Sequence, residues 1–225
     1  TPLTVLSGLV ETLLSYDLTA EERERYLLLM NQQSQRMKTL VNDLLLLSKL
    51  EGTPAPGRAE WESASELLDH VVEDAQVLSD LIAEGSHDIE AEPCPDIELA
   101  GSPPELLSAM SNLLSNAVRY TPAGGKIRAG WRLLPQGGAE YWVSDTGPGI
   151  GAEHIPRLTE RFYRVDRSRS RDTGGTGLGL AIVKHVAQRH GGQLRIDSVV
   201  GQGSTFRIEL PASRIRQISS ETVSA

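Results

Sequence analysis

Apolar positions recur at helical spacing through the first fifty residues and then change character. Leu3, Leu6, Val10, Leu13 and Leu14 form one stripe, which predicts a short amphipathic helix. Tyr16-Asp-Leu-Thr19 interrupts it, and Thr19 with Glu22 makes a capping-box pair for a second helix. There Tyr26, Met30, Gln33, Met37, Leu40, Leu44 and Leu47 alternate steps of four and three, a heptad seam. Two such helices folded as one thin hairpin cannot hide both stripes. Residues 1–51 therefore predict a helical hairpin that supplies half of a homodimeric four-helix bundle. Packing against the remainder of the same chain is the other way to cover the stripes.

Gly52-Thr-Pro-Ala-Pro-Gly-Arg58 stops the second helix with a glycine and resists its continuation with two prolines, so 52–58 reads as a linker. Beyond it, 59–62 suggests a short edge strand. A helix over 65–83 follows through Leu67, Leu68, Val71, Val72, Ala75, Leu78, Leu81 and Ile82. Brief strands are predicted at 89–91 and 97–100. Ser102-Pro-Pro-Glu105 reads as a capping box with prolines in the first turn, opening a helix that runs to about Tyr120. Two hairpins complete the pattern: 126–134 with 139–145 around Pro135-Gln-Gly-Gly138, and 193–199 with 204–210 around Gly201-Gln-Gly203. Helices mixed with antiparallel strands predict an α+β sandwich over 59–211, a sheet covered by helices on one face. Residues 212–225 have no strong periodicity and read as a flexible tail.

Composition narrows the function classes. The 225 residues carry a net charge of -8, which argues against a general nucleic-acid role because phosphate backbones demand a basic surface. The solitary Cys94 cannot make an internal disulfide and fits a reducing compartment as an inert thiol. No run of about 18 apolar residues occurs, so nothing here spans a membrane. The Thr-Pro start has no signal-peptide features, and the opening reads as cut.

Candidate chemistry gathers in four places. In Asp172-Thr-Gly-Gly-Thr-Gly-Leu-Gly-Leu-Ala-Ile-Val-Lys184, glycines precede an apolar helix that starts near Leu178. Backbone N–H groups around Gly174, Gly175, Thr176, Gly177 and Gly179, together with the helix start at Leu178, would make a phosphate cradle; a plain loop is the other reading. The Walker pattern is absent, and no strand directly precedes these glycines. On the capped helix, Asn112, Asn116, Arg119 and Tyr120 fall within neighbouring turns: amide oxygens suit Mg²⁺, a guanidinium suits phosphate, and an aromatic ring suits a base. The bland alternative is that the amides only satisfy nearby backbone. Asp145-Thr-Gly-Pro-Gly-Ile150 places a carboxylate at a strand end with Gly147 and Gly149 leaving room beside it, able to accept from an adenine amine, unless it is simply a turn. Finally, Arg161-Phe-Tyr-Arg-Val-Asp-Arg-Ser-Arg-Ser-Arg171 is a basic stretch in an acidic protein that runs into the glycines, as a lid over polyphosphate would.

In this order, with Gly201-Gln-Gly-Ser-Thr-Phe206 as the last member, these segments resemble the N, F and three glycine boxes of the histidine-kinase ATP-binding domain. Thr1-Pro-Leu-Thr4 is similar to the end of the family's His-Glu-Leu-Arg-Thr-Pro-Leu-Thr segment in the dimerisation and phosphoacceptor hairpin. Glu153-His-Ile-Pro-Arg-Leu-Thr-Glu-Arg-Phe-Tyr-Arg-Val-Asp166 looks most like the phosphate-regulon sensor kinases of Gram-negative bacteria, since Leu158-Thr159 stands where many relatives have a bulky apolar pair. The resemblance implies an Hsp90-like ATP-binding sandwich that takes ATP with Mg²⁺ at Asn116, Asn112 beside it. Arg119 would go to the phosphates, Tyr120 and Asp145 to adenine, Arg164 to the terminal phosphate, and the glycines to the polyphosphate. Thr1 would orient the water that removes phosphate from the partner. It further implies a response-regulator receiver domain as partner, and a membrane-anchored parent on the cytoplasmic side of the bacterial inner membrane. The accepting histidine would lie four residues before Thr1. His70, His87, His154, His185 and His190 all fall beyond the linker, with His185 and His190 expected to be structural. By this reading the piece binds ATP without phosphorylating itself. Two rivals stay open: another ATP-binding member of the superfamily, such as a serine kinase or an ATP-driven clamp, and a nucleotide-gated docking module.

Overall fold

A computed structural model describes residues 2–83, 86–165 and 175–218. Helix α1 (Pro2–Ser15) and helix α2 (Ala20–Gly52) pack together across the turn 16–19. The predicted capping box is present. Glu22 N–H donates to the Thr19 hydroxyl at 3.2 Å, and Thr19 N–H donates to the Glu22 carboxylate at 2.9 Å. On α1 the half-buried apolar residues are Leu6, Leu9 and Leu13; Leu3, Val10 and Leu14 of the predicted stripe are exposed. On α2 the seam holds from Tyr26 to Leu40, then turns: Leu44 is exposed while Leu47 and Leu50 are fully buried. The cause is helix α5 (Gly179–Arg189), which packs against α2 and draws the buried stripe of its last turns round onto it.

The chain beyond α2 is built from two sheets and three helices. Strand β1 (Trp61–Ser63) leads into α3 (Ala64–Ala83), followed by β2 (Asp88–Ala91), β3 (Ile97–Ala100), α4 (Pro103–Tyr120), β4 (Lys126–Leu133) and β5 (Ala139–Asp145). After α5 come β6 (Gln193–Val199), β7 (Gly203–Leu210) and β8 (Ile215–Gln217). The main sheet has the order β2-β4-β5-β7-β6, with β2 parallel to β4 and every other pairing antiparallel. Strand alternation decides its two faces. Ala129, Trp131, Tyr141, Val143, Phe206 and Ile208 are buried in one core with α3, α4 and α5, while Arg128, Arg132 and Arg195 alternate with them toward solvent. One-sided burial of this sheet under three helices is the α+β sandwich that the pattern predicts.

Residues 212–217 correct one expectation. They form a 3-10 turn and strand β8, which pairs with β3 in a small sheet of order β1-β3-β8. Strand β8 is three residues long, too short for periodicity to register. Arg214, just before it, is buried and donates to the carbonyls of Pro56, Gly57 and Ala100, the last at 3.2 Å. Residues 219–225 of the expected tail lie outside the described residues. The edge strand predicted at 59–62 sits one to two residues later, at Trp61–Ser63.

A second correction concerns Ser102 and Glu105. Helix α4 starts at Pro103 as predicted, but Ser102 makes no side-chain cap. Its backbone N–H donates to His190 Nε2 at 3.3 Å, and Glu105 turns away to receive Arg189 through two bonds of 3.0 Å. A bidentate charged pair outcompetes a neutral backbone amide for the same carboxylate. His190 Nδ1 donates to the Val186 carbonyl at 2.8 Å, so this ring is neutral with both nitrogens engaged, and burial pushes its pKa down. Cys94 is half-buried, and burial, aided by Asp69 and Asp96, pushes its thiol up to about 11, which keeps it protonated and inert.

Arg189 also binds the joint between the hairpin and the sandwich. It donates to the carbonyls of Leu50 and Thr53 at 2.7 Å each and of Pro54 at 2.8 Å. With the two bonds to Glu105, all five guanidinium N–H groups are used. Replacing Arg189 by Ala leaves Glu105 without its partner and three carbonyls without donors. We expect Arg189→Ala to cost about 3 kcal/mol in urea unfolding, with Arg189→Lys recovering only part, since an ammonium cannot copy the fork.

Candidate nucleotide site

The sequence-predicted residues converge at one end of the main sheet, where β5 finishes and α4 and α5 face each other. Asp145 is the last residue of β5, in register with Ser204 of β7 and Ile127 of β4. Its carboxylate accepts from Gly147 N–H at 2.8 Å. Burial pushes its pKa up, while backbone donors at Gly147 and Ser204 pull it down. Two glycines make this corner possible. Gly203 has φ +123°, and a methyl group there would overlap the Asp145 carbonyl oxygen. At Gly147, a methyl group would stand 2.7 Å from the Asp145 carboxylate and 3.1 Å from the Tyr120 carbonyl, which places Tyr120 directly behind the carboxylate's turn. Gly149 seals the turn against the backbone of Val199 and Val200. The Tyr120 side chain is half-exposed.

Helix α4 presents the polar stripe. Asn112 spends its amide nitrogen on the Ser108 carbonyl at 2.8 Å, and its oxygen lies against Gly179, the first residue of α5, where any side chain would collide with it. Asn116, one turn on, is half-buried, and its amide makes no hydrogen bond among the described residues. A half-buried amide without a partner is the kind of group that a ligand satisfies. No group of three His, Cys, Asp or Glu able to hold a metal occurs among the described residues. Any Mg²⁺ here would therefore rest on amide oxygen and ligand phosphates, a donor set that the hard cation accepts.

The glycine-rich segment enters α5 in the predicted way. Thr176 receives Leu178 N–H on its hydroxyl at 3.2 Å, closing the first turn, while the Leu178 side chain is fully buried, so this residue serves through its backbone. Gly177, at φ +75°, accepts Phe162 N–H at 2.9 Å, and a methyl group on it would stand 3.0 Å from Phe162 Cα, so the base of the basic stretch lies close against the glycine-rich segment. Arg164 donates to the Gly175 carbonyl. Arg119 on α4 is half-buried; burial lowers its pKa most, Tyr120 raises it, and the positive charge of Arg164 lowers it further. Two guanidinium groups from separate elements thus face one region, an arrangement that an anionic ligand relieves. Thr1, Gly174 and all of the basic stretch after Val165, residues 166–171, lie outside the described residues.

Two features were not legible in the sequence. Asp43 of α2 accepts from the Thr176 hydroxyl at 2.7 Å, and Glu51 pairs with Arg161 and, at 3.4 Å, with His185. The available signal was a carboxylate breaking the apolar run between Leu40 and Leu44. A cavity of about 480 Å³ at the opposite end of the sheet, beside Leu134, Gly138 and Gly192, carries no arginine or asparagine and is not a rival for phosphate.

Comparisons with known proteins agree with this geometry. Residues 101–214 match the family described as Histidine kinase-, DNA gyrase B-, and HSP90-like ATPase, and residues 1–53 match the His Kinase A (phospho-acceptor) domain. The chain is 50% identical over 218 residues to the phosphate regulon sensor protein PhoR of Pseudomonas aeruginosa, covering 96% of this chain and 48% of that protein. It is 38% identical over 211 residues to PhoR of Haemophilus influenzae, covering 94% and 48%. It thus spans about half the length of these curated relatives. A crystal structure of full-length ShkA in complex with AMPPNP superposes with a TM-score of 0.69 at 28% identity, over 93% of this chain and 43% of that one.

The burial of Asp145 has a stability consequence. A carboxyl whose folded pKa is raised disfavours the charged native state, so it detracts from stability above that pKa, and protonation relieves it as pH falls. Asp145→Asn keeps an acceptor for Gly147 and removes the charge. We expect its thermal midpoint without ligand at pH 7 to equal or exceed that of the parent chain, with the difference closing toward pH 4. A midpoint several degrees lower at pH 7 contradicts this account of the carboxylate.

With its phospho-acceptor domain ahead of the ATPase domain, and its motifs gathered at one sheet end, the chain belongs to the histidine kinase-, DNA gyrase B- and HSP90-like ATPase family as a sensor histidine kinase core.

Proposed function

We propose that this chain binds ATP with Mg²⁺ at the end of β5, and that the protein containing it transfers the terminal phosphoryl group to a histidine and onward to an aspartate of a response regulator, in phosphate-starvation signalling. The observation that carries the reading is the convergence of Arg119, Arg164, Asn116 and the α5 N-terminus beside the half-buried Asp145. The 50% identity to a phosphate regulon sensor supports the signalling context. ShkA, the solved relative, holds AMPPNP.

Phosphoryl transfer demands in-line positioning and charge neutralisation rather than covalent help from side chains. Asp145 selects adenine by accepting from its exocyclic amine, with Tyr120 alongside. Arg119 and Arg164 offset phosphate charge, and the backbone from Gly175 to Gly179 donates N–H groups at a helix start. Asn116, with Asn112 beside it, would hold Mg²⁺, which when bound would supply charge neutralisation for the phosphate oxygens. Among the described residues no helix is long and apolar enough to cross a membrane, and membrane anchoring belongs to other parts of the protein. The exposed Leu3, Leu14, Leu28 and Leu45 leave apolar surface on the hairpin that a second copy would cover in a four-helix bundle. The receiver domain of the response regulator is the second partner.

Calorimetric titration with a nonhydrolysable ATP analogue tests the site. Asp145→Asn is expected to weaken binding at least roughly tenfold by removing a charged acceptor, and Asn116→Ala to abolish the dependence on Mg²⁺. Unchanged affinity in both variants would falsify the assignment. In the full-length protein, label from γ-phosphate-labelled ATP should appear as an acid-labile, base-stable adduct. An acid-stable adduct would indicate a serine kinase instead.

A further inference from the structure

Helix α2 reaches the nucleotide site with carboxylates. Leu40, Asp43, Leu47 and Leu50 fall along one side of α2, and the last two are buried where α5 packs. An apolar residue at position 43 would continue that contact. Instead Asp43 sits half-buried, its Oδ2 accepting the Thr176 hydroxyl at 2.7 Å, while the same hydroxyl accepts from Leu178 N–H. Asp43 is thus joined through one side chain to the first turn of α5, the position that favours an anion. Two turns further along α2, Glu51 engages Arg161 at the lid's base and His185 on α5. Burial pushes the Asp43 carboxyl up, the Thr176 hydrogen bond only partly opposing it.

A hydroxyl donor and a helix N-terminus are what a nucleotide's phosphates would also seek. We propose that Asp43 is a resident anion of the nucleotide site, supplied by the hairpin, so that polyphosphate binding and the docking of α2 on the cradle oppose each other. This rests on the nucleotide reading given above. By linkage the opposition is mutual: phosphates that repel Asp43 loosen the catalytic unit from α2 to the same degree that α2 weakens their binding. The mechanical consequence is that an occupied site is freer to leave the hairpin face on which the empty one rests. Asp43 is a positioning residue in this scheme, since it makes no contact with the base and acts through charge and through Thr176.

The test uses the full 225-residue chain and calorimetry with a nonhydrolysable ATP analogue plus Mg²⁺, with adenosine as the uncharged probe. Asp43→Asn keeps an acceptor for Thr176 and deletes the charge; Asp43→Ala deletes both. Both variants should bind the analogue roughly three- to tenfold more tightly, with adenosine affinity unchanged. A carboxylate that merely buttresses Thr176 predicts the reverse, unchanged or weaker analogue binding, and that result overturns the proposal. Equal tightening for adenosine also overturns it, because the effect would then not be one of phosphate charge. If the parent chain binds no analogue at all, the nucleotide reading fails and takes this inference with it. If the parent binds but neither variant tightens, the inference alone fails.

Discussion

A single guanidinium holds together three segments that the chain separates widely. Arg189, at the end of α5, reaches Glu105 in the first turn of α4 and the carbonyls that end α2 and begin the linker. The two helices that carry the candidate-site residues are therefore fixed to each other at their far ends, away from the site, by the same group that fixes the hairpin. A buried ion pair of this kind is weak evidence of net stability, because desolvation offsets much of the attraction. What it provides is a defined geometry, since a fork with five donors accepts only one arrangement of five acceptors. The linker follows from this. Its carbonyls are taken by Arg189 on one side and by the buried Arg214 on the other, so residues 53–57 are pinned although their composition is that of a flexible joint.

The site uses the other end of the same helices, and there the construction is mostly backbone. Asp145 stands where β5 must end because β7 begins at Gly203, a residue whose conformation and closeness to the Asp145 carbonyl exclude a side chain. Asn112 reads the start of α5 by lying against Gly179, so helix α4 is registered to the cradle by contact with an atom that only glycine leaves accessible. Such contacts tolerate little variation, which is why they leave a signature in the chain.

That contrast explains what was legible. Helices with two or more apolar turns, hairpins flagged by glycine turns, and motifs in which glycine is obligatory could all be read from pattern, because each is dictated within a short window. The Asn112 to Tyr120 stripe, Asp145 and the cradle fall in that class, and they do meet at one sheet end. The features that escaped are long-range. Nothing local tells Glu105 to abandon the α4 cap for Arg189, 84 residues away. Strand β8 exists because β3 offers it an edge, and Asp43 matters only because the cradle, 133 residues later, arrives beside it. The rotation of the α2 seam after Leu40 has the same origin, a packing partner that no window on α2 contains.

Charge links the two halves of the molecule. The chain is acidic overall, yet its site gathers Arg119 and Arg164 within range of each other, an unfavourable pairing that folding must offset. On the cradle side, the acidic residues of α2 supply part of that compensation, Asp43 at Thr176 and Glu51 at Arg161 and His185.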